Sequence, residues 1–193
     1  MNSFFAYLNR LKLIQRWGLM RNAIPENDME HSMQCALIAH ALAVLAKTRY
    51  DRAVDPQTAA TLALYHDASE VLTGDLPTPV KYKNTEIKKA YKTIEYLASE
   101  QLYHMLPDDL RPAYSPYLLP NRESYEWKLV KAADRICAYI KCVEEKKAGN
   151  REFLNAQTAI ADSIAELDLP EVKDFMQEFA PAYELSLDEL SKL

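Results

Sequence analysis

Apolar residues recur at spacings of three and four from one end of this chain to the other, and few segments alternate apolar with polar residues. Spacings of three and four place side chains on one face of a 3.6-residue helix, whereas a half-buried strand needs a period of two. The pattern therefore predicts an all-α protein, a single helical bundle. At 193 residues the chain can bury a real core but is too short for two domains of ordinary size, so one unit spanning 1–193 is expected. Lysine and arginine number 23 against 28 acidic residues, and the positives are scattered, which argues against a nucleic-acid polymer as partner. No stretch approaches the length of apolar sequence that spans a membrane. Arg10, Lys12 and Arg16 interrupt the apolar start, so a cytoplasmic location is expected. Cys35, Cys137 and Cys142 lack CxxC spacing and read as small buried hydrophobes in a reducing compartment.

Several helices can be placed. Ser3 is expected to cap a first helix with Phe4, Phe5, Leu8 and Leu11 on one face, ending near Trp17 and Gly18. A second runs from about Asp28 to Lys47 with a stripe of Met33, Leu37, Ala41 and Leu45. Asp55 followed by Pro56 opens a third, which delivers His66 and Asp67 at its C-terminal end. Gly74, Pro77 and Pro79 then force a loop. Thr85 to Met105 forms the next helix, residues 106–121 read as proline-broken turns, and Arg122 to Ala148 is the longest helix, stopped by Gly149. Helices at about 151–167 and 172–179 follow, and Ser186 to Glu189 has the spacing of a capping box.

Chemistry gathers on a few of these elements. A divalent ion wants neutral imidazoles and carboxylates on rigid supports with coordination positions left open. His31, His66 with Asp67, and Asp134 supply such donors from three separate helices. Asp134 falls on or beside a largely apolar stripe, where a carboxylate is costly unless paired or coordinating. An ion pair with Lys131 or Arg135 explains it equally well, and His31 or His66 taken singly also fits a structural hydrogen-bonding role. His40 falls on the opposite face of its helix from His31 at about 100° per residue, and His104 lies at a helix end, so a mononuclear site is expected. Glu70, four positions after His66, stands where an acid or base would, or is a solvated helix-end residue. Arg16 and Trp17 together suit a phosphate and a base or sugar, or are surface arginine beside core tryptophan.

The stretch "HDASEVLTGDLPTPVK" resembles the HD-domain 5′-deoxynucleotidases of bacteria, the YfbR type. Similarity extends to "FFAYLNRLKLIQRWGLMRN", to "EHSMQ" around His31, to "KAADRICAYIKCVEE" around Asp134 and to "LSLDE" near the C-terminus. The resemblance implies an HD-domain bundle that removes phosphate from deoxyribonucleoside 5′-monophosphates using one divalent ion, cobalt, manganese or a similar transition metal. His31, His66, Asp67 and Asp134 would hold the ion, with His31, Asp67 and Asp134 also facing substrate. Glu70 matches the proposed acid/base residue, Arg16 the group that orients phosphate, and Trp17 a neighbouring substrate contact. Asp75, Leu76, Pro77 and Thr78 match the loop that packs on the sugar and rejects a 2′-hydroxyl. "MEHS" in place of the usual "SEHS" would touch a cap and not a ligand. The family also implies a homodimer, although the N-terminal helix alone is equally explained as core. Two other readings remain from the residues: an HD-type hydrolase of another phosphoester, or a helical module that uses the metal structurally.

Overall fold

The computed structural model describes residues 1–81 and 83–192, and among these every extended element is confined to one isolated pairing of Gln15 with Asn27. The all-α expectation holds. A short helix α1 (Phe4–Leu8) runs into a tighter 3₁₀ turn (Asn9–Leu13), after which Ile14 is extended. The first helix therefore ends before Arg16 and Trp17, not at them. Residues 14–16 pair with 26–28 instead: Arg16 N–H donates to the Glu26 carbonyl and Asp28 N–H to that of Ile14. Ser3 makes no side-chain cap; Asn2 accepts from Phe4 N–H at 3.0 Å.

The core is built by α2 (Asp28–Tyr50), α3 (Pro56–Tyr65) and α8 (Tyr125–Lys147). Asn27 caps α2 through Met29 and Glu30 N–H, and Asp55 caps α3 with Pro56 in its first turn, where a missing N–H costs nothing. Met29, the residue of the "MEHS" departure, is thus not the cap. Alanines 39, 43, 59, 63 and 133 are almost fully buried where these helices meet, and their small side chains let the backbones approach. Ile38, Leu42, Leu62, Leu129, Val130, Ile136 and Ile140 fill the remaining space. The expected α2 stripe is displaced: Leu45 is buried, but Met33 and Leu37 are 55% and 61% exposed, because His31, Cys35 and Leu42 define the inward face.

A second cluster of Phe4, Ala68, Leu102, Leu106 and Leu118 joins α1 to α6 (Thr85–Met105) and α7 (Arg111–Leu118). Residues 111–118 are helical, contrary to the proline-broken reading: Pro112 sits in the first turn, where it is tolerated, and Leu118 is held in the cluster although Pro116 lies inside the helix. Two single-turn helices, α4 (Glu70–Thr73) and α5 (Thr78–Lys81), flank the segment Gly74–Pro77, with Gly74 at φ +72°. At the other end α9 (Leu154–Ala165) covers α8 and α10 (Pro170–Glu178) covers α2, and α11 (Leu187–Leu190) follows with the Ser186–Glu189 capping box present.

One buried ion pair ties the 20s segment to this frame. Glu145 accepts from Lys141, from the Ala23 and Ile24 N–H groups at 2.8 and 3.0 Å, and from Asn150 at 2.7 Å. Lys141 also donates to the Ile24 carbonyl. Burial opposes the Glu145 charge, but these donors bring its pKa down from 4.5 to about 2. Because the folded pKa is depressed, this stabilisation is complete above the ordinary glutamate range and is lost as pH falls from about 4.5 toward about 2. Glu145→Ala strands a buried ammonium and should cost about 3–5 kcal/mol. Thermal melts should show a fall in Tm of about 2–4 °C per kcal/mol, with a shallower acid limb than the parent; an unchanged Tm would sink this account.

Candidate active site

The C-terminal end of α3 and the middle of α8 face the first turns of α2, and four side chains converge between them. His31 Nε2 lies 3.6 Å from Asp67 Oδ2 and 3.3 Å from Asp134 Oδ1. His66 Nε2 lies 3.1 and 4.0 Å from the same two oxygens. The imidazole rings are 5.3 Å apart and both side chains are buried. The helix breaks after Tyr65, and that break turns His66 and Asp67 to one point although adjacent helical residues diverge.

The two imidazoles are oriented from behind. The Ala63 carbonyl can only accept, so His66 Nδ1 carries a proton on their 2.7 Å contact and Nε2 faces the carboxylates. Glu26 stands 3.9 Å from His31 Nδ1, close enough to act on it by charge but beyond hydrogen-bond reach. His31 Nε2 and His66 Nε2 are buried and have no hydrogen-bond partner, which is costly in a bare protein. Burial alone would lower the His66 pKa, but Asp67 raises it to about 9. Burial likewise opposes the charge on Asp67 and Asp134, yet His66 and Arg16 hold the first well below the usual carboxylate range, and Lys131 with the imidazoles does so for the second. Two nitrogens and two carboxylate oxygens around unpartnered nitrogens fit a divalent transition ion.

Cys35, one turn after His31 on α2, also approaches both imidazoles. Its thiol donates to the Val130 carbonyl at 3.9 Å, and Cys137 and burial raise its pKa well above the ordinary thiol value. It stands behind the site, as a small buried residue. His40 and His104 are exposed and away from it.

Arg16 reaches the centre from the extended segment. Its Nη1 donates to Asp67 Oδ2 at 3.2 Å and lies 3.5 Å from Asp28, while Nη2 is 4.0 Å from Asp134 and Nε 3.6 Å from Glu26. Burial opposes its charge, and the surrounding carboxylates restore it. Trp17 adopts a left-handed φ of 60°, donates from Nε1 to Glu26 at 2.8 Å and tilts against Phe153. Glu70, at the start of α4, is 4% exposed with Oε2 unpartnered. Burial and the charges of Asp67, Asp28 and Asp75 push its pKa up to about 11. Asp75 is half-buried and shares this field, and Leu76, Pro77 and Thr78 follow it, with Thr78 at the surface. The Tyr91 hydroxyl donates to the Gly74 carbonyl at 3.2 Å and ties this segment to α6.

Two residues had not been singled out for the site from sequence. Asp28 is fully buried in the first turn of α2, three residues before His31, and that spacing was the available signal. Glu26 precedes the helix and carries no periodic signal. Lys131, weighed only as an ion-pair partner, does bond Asp134, at 2.7 Å, while Arg135 donates to the Ser163 carbonyl. The pair and the cluster coexist.

The chain belongs to the 5′-deoxynucleotidase YfbR-like family. The family's pattern matches residues 3–183. It is 51% identical to a 5′-deoxynucleotidase of Erwinia tasmaniensis over 98% of this chain and 96% of that one. A 5′-deoxynucleotidase of Cronobacter sakazakii is 52% identical over the same shares. Its fold is shared with an HD-domain phosphohydrolase from Listeria innocua, at a TM-score of 0.82 and 23% identity, covering 98% of this chain and 95% of that one.

Asp67 raises the His66 pKa to about 9, so a cation seated on its Nε2 should displace a proton near neutrality. Calorimetric titration of metal in buffers of different ionisation enthalpy should show at least one proton released, and affinity should weaken about tenfold per pH unit below about 9. Binding without proton release would remove His66 from the ligand set.

Proposed function

We propose that this chain is a divalent-metal-dependent 5′-deoxynucleotidase that hydrolyses deoxyribonucleoside 5′-monophosphates to deoxyribonucleoside and phosphate. The observation that carries the reading is the convergence of His31, His66, Asp67 and Asp134 around two buried, unpartnered imidazole nitrogens. These four would hold the ion, cobalt, manganese or a similar transition metal, which when bound supplies Lewis acidity and neutralises phosphoryl charge. Family membership and relatives named 5′-deoxynucleotidase support the substrate class.

The remaining groups divide the work. Arg16, firmly cationic and a contact of Asp67, is placed to grip phosphate oxygens as negative charge grows on them. Glu70, dry and one turn beyond Asp67, is placed to exchange a proton with water or with the leaving 5′-oxygen, and burial favours its protonated form. Trp17, backed by Phe153, offers a face to the nucleoside. Asp75, Leu76, Pro77 and Thr78 would form the sugar wall: Pro77 and the Gly74 carbonyl tied to Tyr91 stiffen it, and a stiff wall rejects an added hydroxyl by steric clash.

A homodimer in the cytoplasm completes the reading. Support for the dimer comes from Met29, Met33 and Leu37, which line one exposed face of α2, more than from the N-terminal helix, whose Phe4 is buried inside its own chain. Among the described residues no helix is long and apolar enough to cross a membrane.

Chelator-stripped protein should release no phosphate from deoxyadenylate until manganese, cobalt, zinc or magnesium is restored, and should leave adenylate intact. Equal rates on both would retain the metal phosphohydrolase and remove the sugar wall; no release with any metal would defeat the proposal. Glu70→Gln should lower kcat by about 10²–10⁴ while metal affinity is retained, and a near-normal kcat would take Glu70 out of the chemistry.

A further inference from the structure

Asp28 is the fully buried carboxylate at this site that none of the roles above uses. Both of its oxygens lack a hydrogen-bond partner, although the side chain is 0% exposed. Its position at the start of α2 could be ascribed to the helix dipole, but Asn27 already caps that end by accepting from Met29 and Glu30 N–H at 3.1 Å each. A dipole role also does not require burial, which costs several kcal/mol for an unpaired charge. Something at the site must offset it.

Arg16 faces Asp28, with Nη1 3.5 Å from Oδ1. Arg16 in the ion-free chain leans on Asp67 and approaches Asp134, both members of the donor set. An ion on those carboxylates draws on the same oxygens, which leaves Asp28 and Glu26 as the anions that can hold the guanidinium. Glu26 stands 3.6 Å from Arg16 Nε but already accepts from the Trp17 indole at 2.8 Å.

We infer that Asp28 is a positioning residue: from behind the site it anchors the Arg16 guanidinium while the ion occupies Asp67 and Asp134. This rests on the phosphohydrolase reading for its consequence in turnover, but not for the anchoring itself. Asp28 touches no substrate in this scheme and acts through Arg16, which does. Misplacing such groups by an ångström costs up to about 100-fold in rate.

Two measurements on Asp28→Ala and the isosteric Asp28→Asn, both as zinc-loaded protein, separate these levels. The first is hydrogen exchange of the Arg16 side-chain N–H by ¹⁵N NMR, assigned with Arg16→Lys. Exchange in Asp28→Ala should quicken at least about tenfold, with Asp28→Asn smaller in effect. The second is turnover of deoxyadenylate: Asp28→Ala should lose about 10- to 100-fold in kcat/KM, spread over a raised KM and a lowered kcat because Arg16 both grips the phosphate and answers its growing charge. Combined with Arg16→Ala, the loss should be strongly less than additive. Wild-type exchange and wild-type kcat and KM in both variants would overturn the inference, and so would full additivity. If the parent releases no phosphate, the proposed function fails, while Arg16 exchange still decides the anchor. Should Asp28→Ala not fold, Asp28→Asn carries both readouts.

Discussion

Everything at this site depends on charge placed where three helices press their small residues together. Alanines bring α2, α3 and α8 close, and the same closeness forces His31, His66, Asp67 and Asp134 into a volume where ligand atoms stand 3.1 to 4.0 Å apart. Water screens such a group poorly: Asp67 raises His66, and Lys131 with the imidazoles depresses Asp134. The arrangement sets carboxylates beside two imidazole nitrogens that have no hydrogen-bond partner. A divalent cation would give those nitrogens a partner, and the donor types suit it.

Stability and function draw on different charges in this chain. The Lys141–Glu145 pair is satisfied on every side by backbone and side-chain partners, and it fastens the segment at residues 23 and 24 to α8. Arg16 and Trp17 lie on the stretch between that fastening and the 3₁₀ turn, so their approach to the site is set by contacts distant from it. The donor cluster is the reverse case, with unpartnered atoms turned inward. Satisfied polar networks rigidify, whereas unsatisfied ones are held by the surrounding fold at a cost that function recovers.

Much of the architecture was readable because helix signals are local. Asp55 with Pro56, Gly149 and the Ser186–Glu189 box all act within a few residues, and each appears where its chemistry predicts. The misreadings came from long-range contacts. Pairing of residues 14–16 with 26–28 ended the first helix early, and burial of Leu118 carried α7 through Pro116. The stripe of α2 was assigned to Met33 and Leu37 by spacing alone, yet spacing cannot say which of two possible faces meets α3 and α8.

For the site, the donors stood out as residue types on separate helices, and the resemblance set their roles; Asp28 and Glu26 did not stand out. The sequence by itself determined the helical class, the caps, and which imidazoles and carboxylates were available, because these follow from neighbours a turn apart. Only the tertiary structure decided that His31, His66, Asp67 and Asp134 converge, that Arg16 arrives from an extended segment, and that Asp28 is buried without a partner. The physical reason is that burial and charge coupling depend on distances through space, which a one-dimensional pattern of spacings does not contain.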